Sequence, residues 1–301
     1  MNPVDQELFV NYVKSPLHVG FTGLGHLGHA MAQHLAGQGV RLTVWNRTQK
    51  KAEDLKLPVA KTPKELIDSV DAVIINLFDS DAVESVMAGK DGLLSGDCKG
   101  KILIDTTTNH FSRVVDFHAM AQKKGATYLE CPVLGSVVPA SQGKLTVLVS
   151  GDKIAYETVH PLLSHLGSTI YYMGDQPARA TKMKLVNNLV LGSFMATCAE
   201  AIALGEAAGI SRAEVIDILL SGAGNSMVLN AKKDKLKDTE FSAHFSSALI
   251  YKDLHYLQDL CRTLNKPLFI GSTVKELYAI ARSKGQESRD FSAIYEVFKD
   301  L

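Results

Sequence analysis

Short apolar runs alternate with helix-like stretches through the first half of the chain. The runs are β-branched and mostly apolar, as is typical of strands covered on both faces. Six of them predict strands, at Leu17–Thr22, Arg41–Trp45, Asp71–Leu77, Lys101–Thr106, Ala126–Val133 and Leu145–Gly151. Between them, the stretches at 27–39 and 112–125 predict helices closed by glycine. This alternation predicts an α/β domain with a doubly wound, mostly parallel sheet.

The second half of the chain has helical spacing throughout. The segment 178–209 predicts one long helix that leaves the first domain. Further helices are predicted at Ser211–Leu220, Ser246–Thr263, Gly271–Ser283 and Phe291–Phe298. We therefore predict an N-terminal extension at 1–16, an α/β domain at 17–178 and an all-α domain at 179–301.

Composition excludes several classes of partner. Hydrophobic residues make up 46% of the 301 residues, and 32 basic residues balance 32 acidic ones. Such a chain has no basic excess to attract nucleic acid or an anionic membrane. Residues 1–16 lack the apolar core of a signal peptide, and Leu185–Leu204, the most apolar long stretch, contains Asn187, Asn188 and Glu200. We expect a soluble cytoplasmic protein without nucleic-acid or membrane partners.

The four cysteines carry no sign of a metal site. They are far apart in sequence, and none has the spacing of zinc ligands. We expect four reduced thiols and no bound metal.

A glycine-rich segment, VGFTGLGHLGHAMAQHLAGQG, begins in the first predicted strand. Its glycines, Gly23, Gly25 and Gly28, have the spacing G-x-G-x-x-G directly after a strand and at the start of a helix. In a Rossmann domain this motif gives a tight turn, a close backbone approach to pyrophosphate and close packing of helix on strand. The alternative is a purely structural turn. The predicted cofactor contacts here are Gly23, Leu24, Gly25, His26, Leu27 and Gly28.

The end of the second predicted strand bears on the choice of cofactor. NAD enzymes usually have an acidic residue there, whereas this chain has Asn46, Arg47 and Thr48. Arg47 can pair with a 2′-phosphate or stack on adenine, and its neighbours can donate hydrogen bonds. We therefore predict that NADP(H) is preferred over NAD(H). The alternative is that Arg47 is a solvated loop charge. Leu77, which ends the third predicted strand, is a further predicted cofactor contact.

The long helix carries a candidate acid–base group. Reduction of a carbonyl requires a proton for its oxygen. Lys184 and Asn188 are four residues apart and share a helix face, whereas Lys182 points to another side. Lys184 lies in an apolar helix at the predicted domain junction, where burial would lower its pKa. Spacing alone leaves open whether it is catalytic or a surface charge.

Several ordered motifs together resemble the β-hydroxyacid dehydrogenase family, which includes 3-hydroxyisobutyrate dehydrogenases and glyoxylate/succinic semialdehyde reductases. The resemblance covers about residues 17–300. It rests on GFTGLGHLGHAMAQHL, IDTTTNH, CPVLGSVVPASQGKL, KLVNN, FSSALIYKDL and DFSAIYEVF. It implies a homodimer or homotetramer joined through the α domains.

The resemblance also implies roles for particular residues. Lys184 is the implied acid/base and Asn188 its orienting partner. Thr108 lies by the nicotinamide, Lys252 approaches the cofactor and Phe245 lines the substrate pocket. The implied substrate-binding loop contains Leu134, Gly135 and Ser136.

The chain departs from the family pattern at two points. Most members have serine at the position of Leu134, whose hydroxyl helps to hold a substrate carboxylate. Backbone N–H groups of the Leu134–Ser136 loop could still do so, although a more apolar substrate becomes possible. Arg179 stands within a stretch that usually reads G-x-G, and it either binds substrate or phosphate or is simply exposed. The GSVVPA stretch is closer to the glyoxylate/succinic semialdehyde reductase branch.

These observations predict an NADP-dependent oxidoreductase that interconverts a small hydroxy acid and its aldehyde or keto acid. One alternative is an imine reductase, although Lys184 counts against it because enzymes of that kind lack the lysine. Phosphogluconate oxidation is disfavoured by the short chain. A third alternative is a non-catalytic NADP-binding interaction module.

Overall fold

The computed structural model describes residues 17–300, which form two compact units. The first unit comprises residues 17–107 and 112–177, and the second comprises 108–111 and 178–300. The short segment 108–111 thus belongs with the helical half of the chain. The predicted N-terminal extension, residues 1–16, lies outside the described residues.

Five short strands of the first unit form a parallel sheet. They are β1 (Val19–Thr22), β2 (Leu42–Trp45), β3 (Ala72–Ile75), β4 (Ile102–Asp105) and β5 (Thr127–Glu130). Their order is β2-β1-β3-β4-β5, and every neighbouring pair is parallel. All residues of β1 and β3 are buried, as expected for strands covered on both faces. The predicted parallel α/β architecture is confirmed.

A second, three-stranded sheet corrects one prediction. The run at 126–133 is not one strand, because β5 ends at Glu130 and the chain then forms β6 (Val133–Leu134) in another sheet. Pro132 has no N–H group with which to continue the parallel ladder. β6 pairs antiparallel with β7 (Leu145–Val149), which pairs parallel with β8 (Gly167–Tyr172). β8 was not predicted, because its residues are mostly half-buried or exposed and form no apolar run.

Helices connect these strands. They are α1 (His26–Gly37), α2 (Pro63–Ser69), α3 (Ser80–Ala88), α4 (Phe111–Lys123), α5 (Val137–Ser141) and α6 (Lys153–Leu166). The predicted helices at 27–39 and 112–125 correspond to α1 and α4. Three of the others begin at side-chain caps, since Thr62, Asp79 and Asp152 each accept a hydrogen bond from the N–H group three residues ahead. The caps were the sequence signal for these helices.

The second unit is helical, as predicted. Its helices are α7 (Arg179–Ala207), α8 (Arg212–Ser221), α9 (Met227–Asp238), α10 (Ser247–Thr263), α11 (Phe269–Ser283) and α12 (Ile294–Lys299). α9 was missed because four lysines and two aspartates interrupt its apolar pattern. The predicted helix at 291–298 begins as a 3₁₀ turn, Phe291–Ala293, before α12.

The long helix α7 is the central helix of this unit. It continues past Gly192, where a Cβ atom would come within 3.3 Å of Ile250 on α10. The absence of a side chain there allows a close approach of the two helices. Its length and mean hydropathy would also suit a membrane span. However, Leu185, Met195 and Ile202 belong to the apolar core of the unit, which is the ordinary property of a core helix.

Candidate functional site

The glycine motif forms a turn that only glycine permits at two positions. Gly23 has φ +96°, and a Cβ atom there would lie 2.0 Å from the carbonyl oxygen of Asn76. A Cβ atom at Gly28 would lie 2.0 Å from the carbonyl oxygen of Gly23. These contacts press the start of α1 against the end of β1.

The middle glycine serves a different purpose. Gly25 is exposed, and a Cβ atom there would meet no atom within 4 Å. Gly25 is also the N-cap of α1, and no side chain caps the helix. The first N–H groups of α1 and the open space beside Gly25 therefore fit a pyrophosphate, which a helix N-terminus attracts. Of the neighbouring predicted contacts, Leu24 is buried, His26 is exposed and Leu27 is half-buried.

The end of β2 is joined to this turn through Asn46. Its Oδ1 atom accepts a hydrogen bond from the Leu24 N–H at 2.9 Å, and its Nδ2 atom donates to the Thr48 carbonyl at 2.8 Å. Asn46 thus stabilises the glycine turn through its side-chain amide. Arg47 and Thr48 are exposed, and no residue of the described chain forms a hydrogen bond or ion pair with the Arg47 guanidinium. The guanidinium is therefore available to an anionic group.

The carboxyl ends of β3 and β4 contribute further polar residues that the sequence motifs did not indicate. Asn76 donates to the Thr106 hydroxyl at 2.9 Å, and the N–H of the predicted contact Leu77 donates to the Thr107 hydroxyl at 3.0 Å. These bonds tie the ends of the two strands together beside Gly23. Polar residues directly after two buried strands were the available signal.

The predicted substrate loop is built on the second sheet. Leu134 pairs with Thr146 in the β6–β7 ladder and is half-buried. Gly135 has φ +123°, and a Cβ atom there would lie 2.7 Å from the Leu145 side chain. Ser136 follows as the N-cap of α5. A rigid strand and a glycine that tolerates no side chain therefore fix the backbone of this loop.

Lys184 and Asn188 lie on one buried face of α7, as their spacing predicts, whereas Lys182 is exposed. Asn188 donates from Nδ2 to the Asp253 carboxylate on α10 at 2.6 Å. The other Asp253 oxygen accepts from Lys252 Nζ at 2.7 Å. Asp253 is 1% exposed and was not singled out in the sequence. It is the residue that joins the predicted α7 and α10 groups.

Burial governs the proton affinity of Lys184. Its side chain is 6% exposed, and removal of the ammonium from water is the largest effect on its pKa. The Asp253 carboxylate opposes this effect, while the positive charge of Lys252 adds to it. The net result lowers the pKa of Lys184 from 10.5 to about 8. This value suits a group that exchanges a proton near neutral pH.

Lys252 also holds the segment 108–111. Its ammonium donates to the Thr108 carbonyl at 2.7 Å and lies 4.8 Å from the centre of the Tyr256 ring. His110 packs edge-on against the same ring and lies 3.6 Å from the Asp259 carboxylate. One face of α10 therefore fixes the predicted nicotinamide-side residue Thr108.

Phe245 and Arg179 are the remaining residues for which the sequence predicts a role. Phe245 is half-buried just before α10, and its ring packs edge-on against Phe291 at 5.5 Å. Arg179 is exposed at the start of α7, directly after Ala178, which has φ +67°.

Within residues 17–300, no group of three His, Cys, Asp or Glu side chains could hold a metal ion. The four cysteines are free thiols.

Two family models match the chain in succession. The NAD binding domain of 6-phosphogluconate dehydrogenase matches residues 18–174. The NAD-binding domain of NADP-dependent 3-hydroxyisobutyrate dehydrogenase matches residues 178–298. The two matches meet at the boundary between the two compact units.

Curated relatives are similar over almost the whole chain. Glyoxylate/succinic semialdehyde reductase 2, chloroplastic, of Arabidopsis thaliana is 32% identical over 93% of this chain and 79% of its own length. Glyoxylate/succinic semialdehyde reductase 1 of the same plant is 32% identical over 94% of this chain and 99% of its own. The human cytokine-like nuclear factor N-PAC is 31% identical, and the chain spans 51% of its length.

Solved structures share the fold closely. 3-Hydroxyisobutyrate dehydrogenase from Salmonella typhimurium superposes with a TM-score of 0.86 at 27% identity, over 93% of this chain and 99% of that one. Psf3 in complex with NADP⁺ and 2-OPP gives the same TM-score, identity and coverage.

Proposed function

The chain belongs to the β-hydroxyacid dehydrogenase family and is an NAD(P)-dependent dehydrogenase/reductase, and on that premise we propose that it uses NADPH to reduce a small aldehyde acid or keto acid. When bound, the nicotinamide supplies the hydride for the carbonyl carbon. Lys184 supplies the proton for the carbonyl oxygen, and takes it back in the oxidation direction.

The observation that carries this proposal is the buried amine of Lys184. A surface lysine with a pKa of 10.5 would hold its proton too tightly to act as a base near neutral pH. Burial brings the pKa to about 8, so both protonation states are accessible. Asp253 acts on this amine electrostatically and anchors Asn188 and Lys252. Lys184 is therefore the proposed acid/base. Asp253 and Lys252 shift its pKa, and Asn188, which is bonded to Asp253, is its proposed orienting partner.

Three features support NADP(H) over NAD(H). No acidic residue follows β2, Arg47 is exposed and available, and Psf3, a protein of the same fold, binds NADP⁺. A carboxylate at this position would repel a 2′-phosphate, whereas a guanidinium attracts it. Asn46 holds the turn while Arg47 and Thr48 face the added phosphate.

The substrate is proposed from the chain's relatives and its own loop. Two relatives are named for glyoxylate and succinic semialdehyde. Leu134 supplies no hydroxyl at its position in the loop, so backbone N–H groups of Gly135 and Ser136 hold the polar end of the substrate. We expect tolerance of a less polar substrate than a serine at this position would favour.

NADPH consumption tests the function directly. Glyoxylate, succinic semialdehyde, other small keto acids and cyclic imines would be assayed with NADPH and with NADH. We expect turnover of at least one aldehyde or keto acid, faster with NADPH. Turnover of imines alone would point to an imine reductase. Tight NADPH binding without any turnover would point to a non-catalytic binding module.

We also propose that the protein is a homo-oligomer joined through the helical unit. Met183, Val186, Val190 and Phe194 recur at helical spacing along α7 and are each 40–48% exposed. An exposed apolar stripe of this length is typical of a contact with another subunit. Light scattering would report the oligomer, and Val190→Glu should dissociate it.

The free thiols support a reducing compartment, for which we propose the cytoplasm.

A further inference from the structure

A buried carboxylate organises the approach to α10. Asp290 is fully buried, and one of its oxygens accepts hydrogen bonds from the N–H groups of His244 at 3.0 Å and Phe245 at 3.3 Å. The same oxygen accepts from Lys232 Nζ at 2.7 Å. The other oxygen accepts from the hydroxyl of Ser292 at 2.7 Å. Asp290 therefore links α9, through Lys232, and the 3₁₀ turn, through Ser292, to the segment that ends just before α10. The N-cap of α10 is Ser246.

The same groups meet around one aromatic ring. Lys232 Nζ lies 5.2 Å from the centre of the Phe291 ring, and the Phe245 ring packs edge-on against it at 5.5 Å. The Phe245 carbonyl accepts from the Phe291 N–H at 2.8 Å. Phe245 is thus held through its N–H, its carbonyl and its ring. All three contacts lead to Asp290 or to its neighbour in sequence.

The charge of Lys232 is needed for this arrangement. Its side chain is 5% exposed, so the ion pair with Asp290 is shielded from water. An unpaired carboxylate in this environment would be strongly disfavoured, and it would take up a proton or move. Hydrogen bonds to an ionised acceptor are also stronger than those to a neutral one. The position of Phe245 therefore depends on a lysine thirteen residues earlier in the chain.

We propose that Asp290, paired with Lys232, is a positioning residue that sets substrate affinity by fixing Phe245, which itself contacts the substrate. The inference rests on the proposed function and on the substrate role that the family resemblance implies for Phe245. Asp290 and Lys232 are buried, so their effect on the substrate passes through Phe245.

The contacts of α10 itself make the effect selective. The Ser247 N–H donates a hydrogen bond to the Arg289 carbonyl at 2.9 Å, and the Ala248 N–H donates to the Glu287 carbonyl at 3.0 Å. These backbone bonds do not involve the Asp290 carboxylate. They hold the first turn of α10, and with it Lys252 and Asp253, when the carboxylate bonds are lost. The substrate KM should therefore change while kcat and the NADPH dissociation constant do not.

Four variants and one double variant test the proposal. Phe245→Ala shows what loss of the ring does, and Lys232→Met removes the counter-ion at similar volume. Asp290→Asn keeps an oxygen acceptor of the same shape and serves if Lys232→Met fails to fold. Lys237→Met is the matched control, because Lys237 lies on the same helix in an exposed ion pair with Asp217. The double variant combines Phe245→Ala with Lys232→Met, or with Asp290→Asn if needed. The readouts are kcat and KM for succinic semialdehyde, NADPH binding by fluorescence, and the melting temperature.

We expect Lys232→Met or Asp290→Asn to raise the KM about tenfold with kcat within about twofold, a typical consequence of one misplaced contact. The double variant should be no worse than Phe245→Ala alone, because the ion pair acts through that ring. An unchanged KM, or effects that multiply in the double variant, would overturn the inference while leaving the function intact. If Phe245→Ala leaves the KM unchanged, the inference fails while the proposed function stands. If the wild type turns over no aldehyde or keto acid, the proposed function fails and the inference fails with it.

Discussion

Asn188 on α7 donates a hydrogen bond to Asp253 on α10 over an Nδ2–Oδ2 distance of 2.6 Å. The two residues are 65 positions apart in sequence and both are buried. The bond fixes the helix face that carries Lys184 relative to the helix that carries Lys252. It thereby holds two amines near a single carboxylate, which is why neither amine has the environment of a surface lysine.

Replacement of Lys184 tests the chemistry. General acid–base groups typically contribute about 10²–10⁴-fold, so Lys184→Ala should lower kcat by a factor in this range. NADPH binding should stay near normal, because the glycine turn and Arg47 are unchanged. Lys182→Ala is the control, since Lys182 is exposed on the same helix. A fully active Lys184→Ala enzyme, or a larger defect in Lys182→Ala, would refute the assignment.

The pH dependence follows from the pKa of about 8 for Lys184. Reduction needs the ammonium form, so kcat/KM for reduction should be flat below pH 7 and fall above about pH 8, approaching tenfold per pH unit. Oxidation needs the neutral amine and should rise over the same range. Initial rates in both directions from pH 6 to 10 would check this. A break near the ordinary lysine value of 10.5 would contradict it.

The cofactor preference is tested at Arg47. Loss of one charged hydrogen bond weakens binding by about 1.5–3 kcal/mol, so Arg47→Ala should weaken NADPH by this amount and NADH far less. Lys50→Ala is a control for the general positive charge of the loop, because Lys50 is also exposed. Dissociation constants for both cofactors provide the measurement, and an equal loss for NADPH and NADH would count against a 2′-phosphate contact.

The substrate loop is tested by a pair of variants of nearly equal size. Leu134→Ser introduces the hydroxyl, and Leu134→Ala reduces the volume without it. A hydrogen bond to a carboxylate is worth about 1.5–3 kcal/mol. The kcat/KM for glyoxylate should therefore be about tenfold or more higher in Leu134→Ser than in Leu134→Ala. The gain should be smaller for larger, less polar aldehydes. An unchanged order of substrates in both variants would mean that Leu134 does not set selectivity.

Much of the fold was predictable because its strands and long helices carry strong patterns. β1 and β3 are fully buried, so they read as continuous apolar runs. β8 and α9 were missed because half-exposed or lysine-rich segments leave no such pattern. Pro132 was a visible signal that β5 ends, but only the structure shows that the chain then joins a second sheet.

The site was predictable where spacing along one helix or turn defines it. Lys184 and Asn188 are four residues apart, and the three glycines follow one another in a single turn. Asp253 and Asn76 were missed because their partners lie far away in sequence, and only the packed chain brings them together. The ion pair of Lys232 with Asp290, 58 residues apart, was invisible for the same reason.

The burial of Lys184 also affects the folding equilibrium. The unfolded chain restores the ordinary pKa of 10.5, whereas the folded protein holds it near 8, so the unfolded state binds more protons between these values. Below about pH 8 the buried charge therefore lowers the free energy of unfolding by up to about 3 kcal/mol, and the penalty disappears as the pH rises towards 10.5. Lys184→Met should accordingly melt at a higher temperature than the wild type at pH 7, and by a smaller margin at pH 10. The proposed proton donor thus destabilises the folded state, and the pH range expected to favour reduction is the one in which this residue destabilises the protein most.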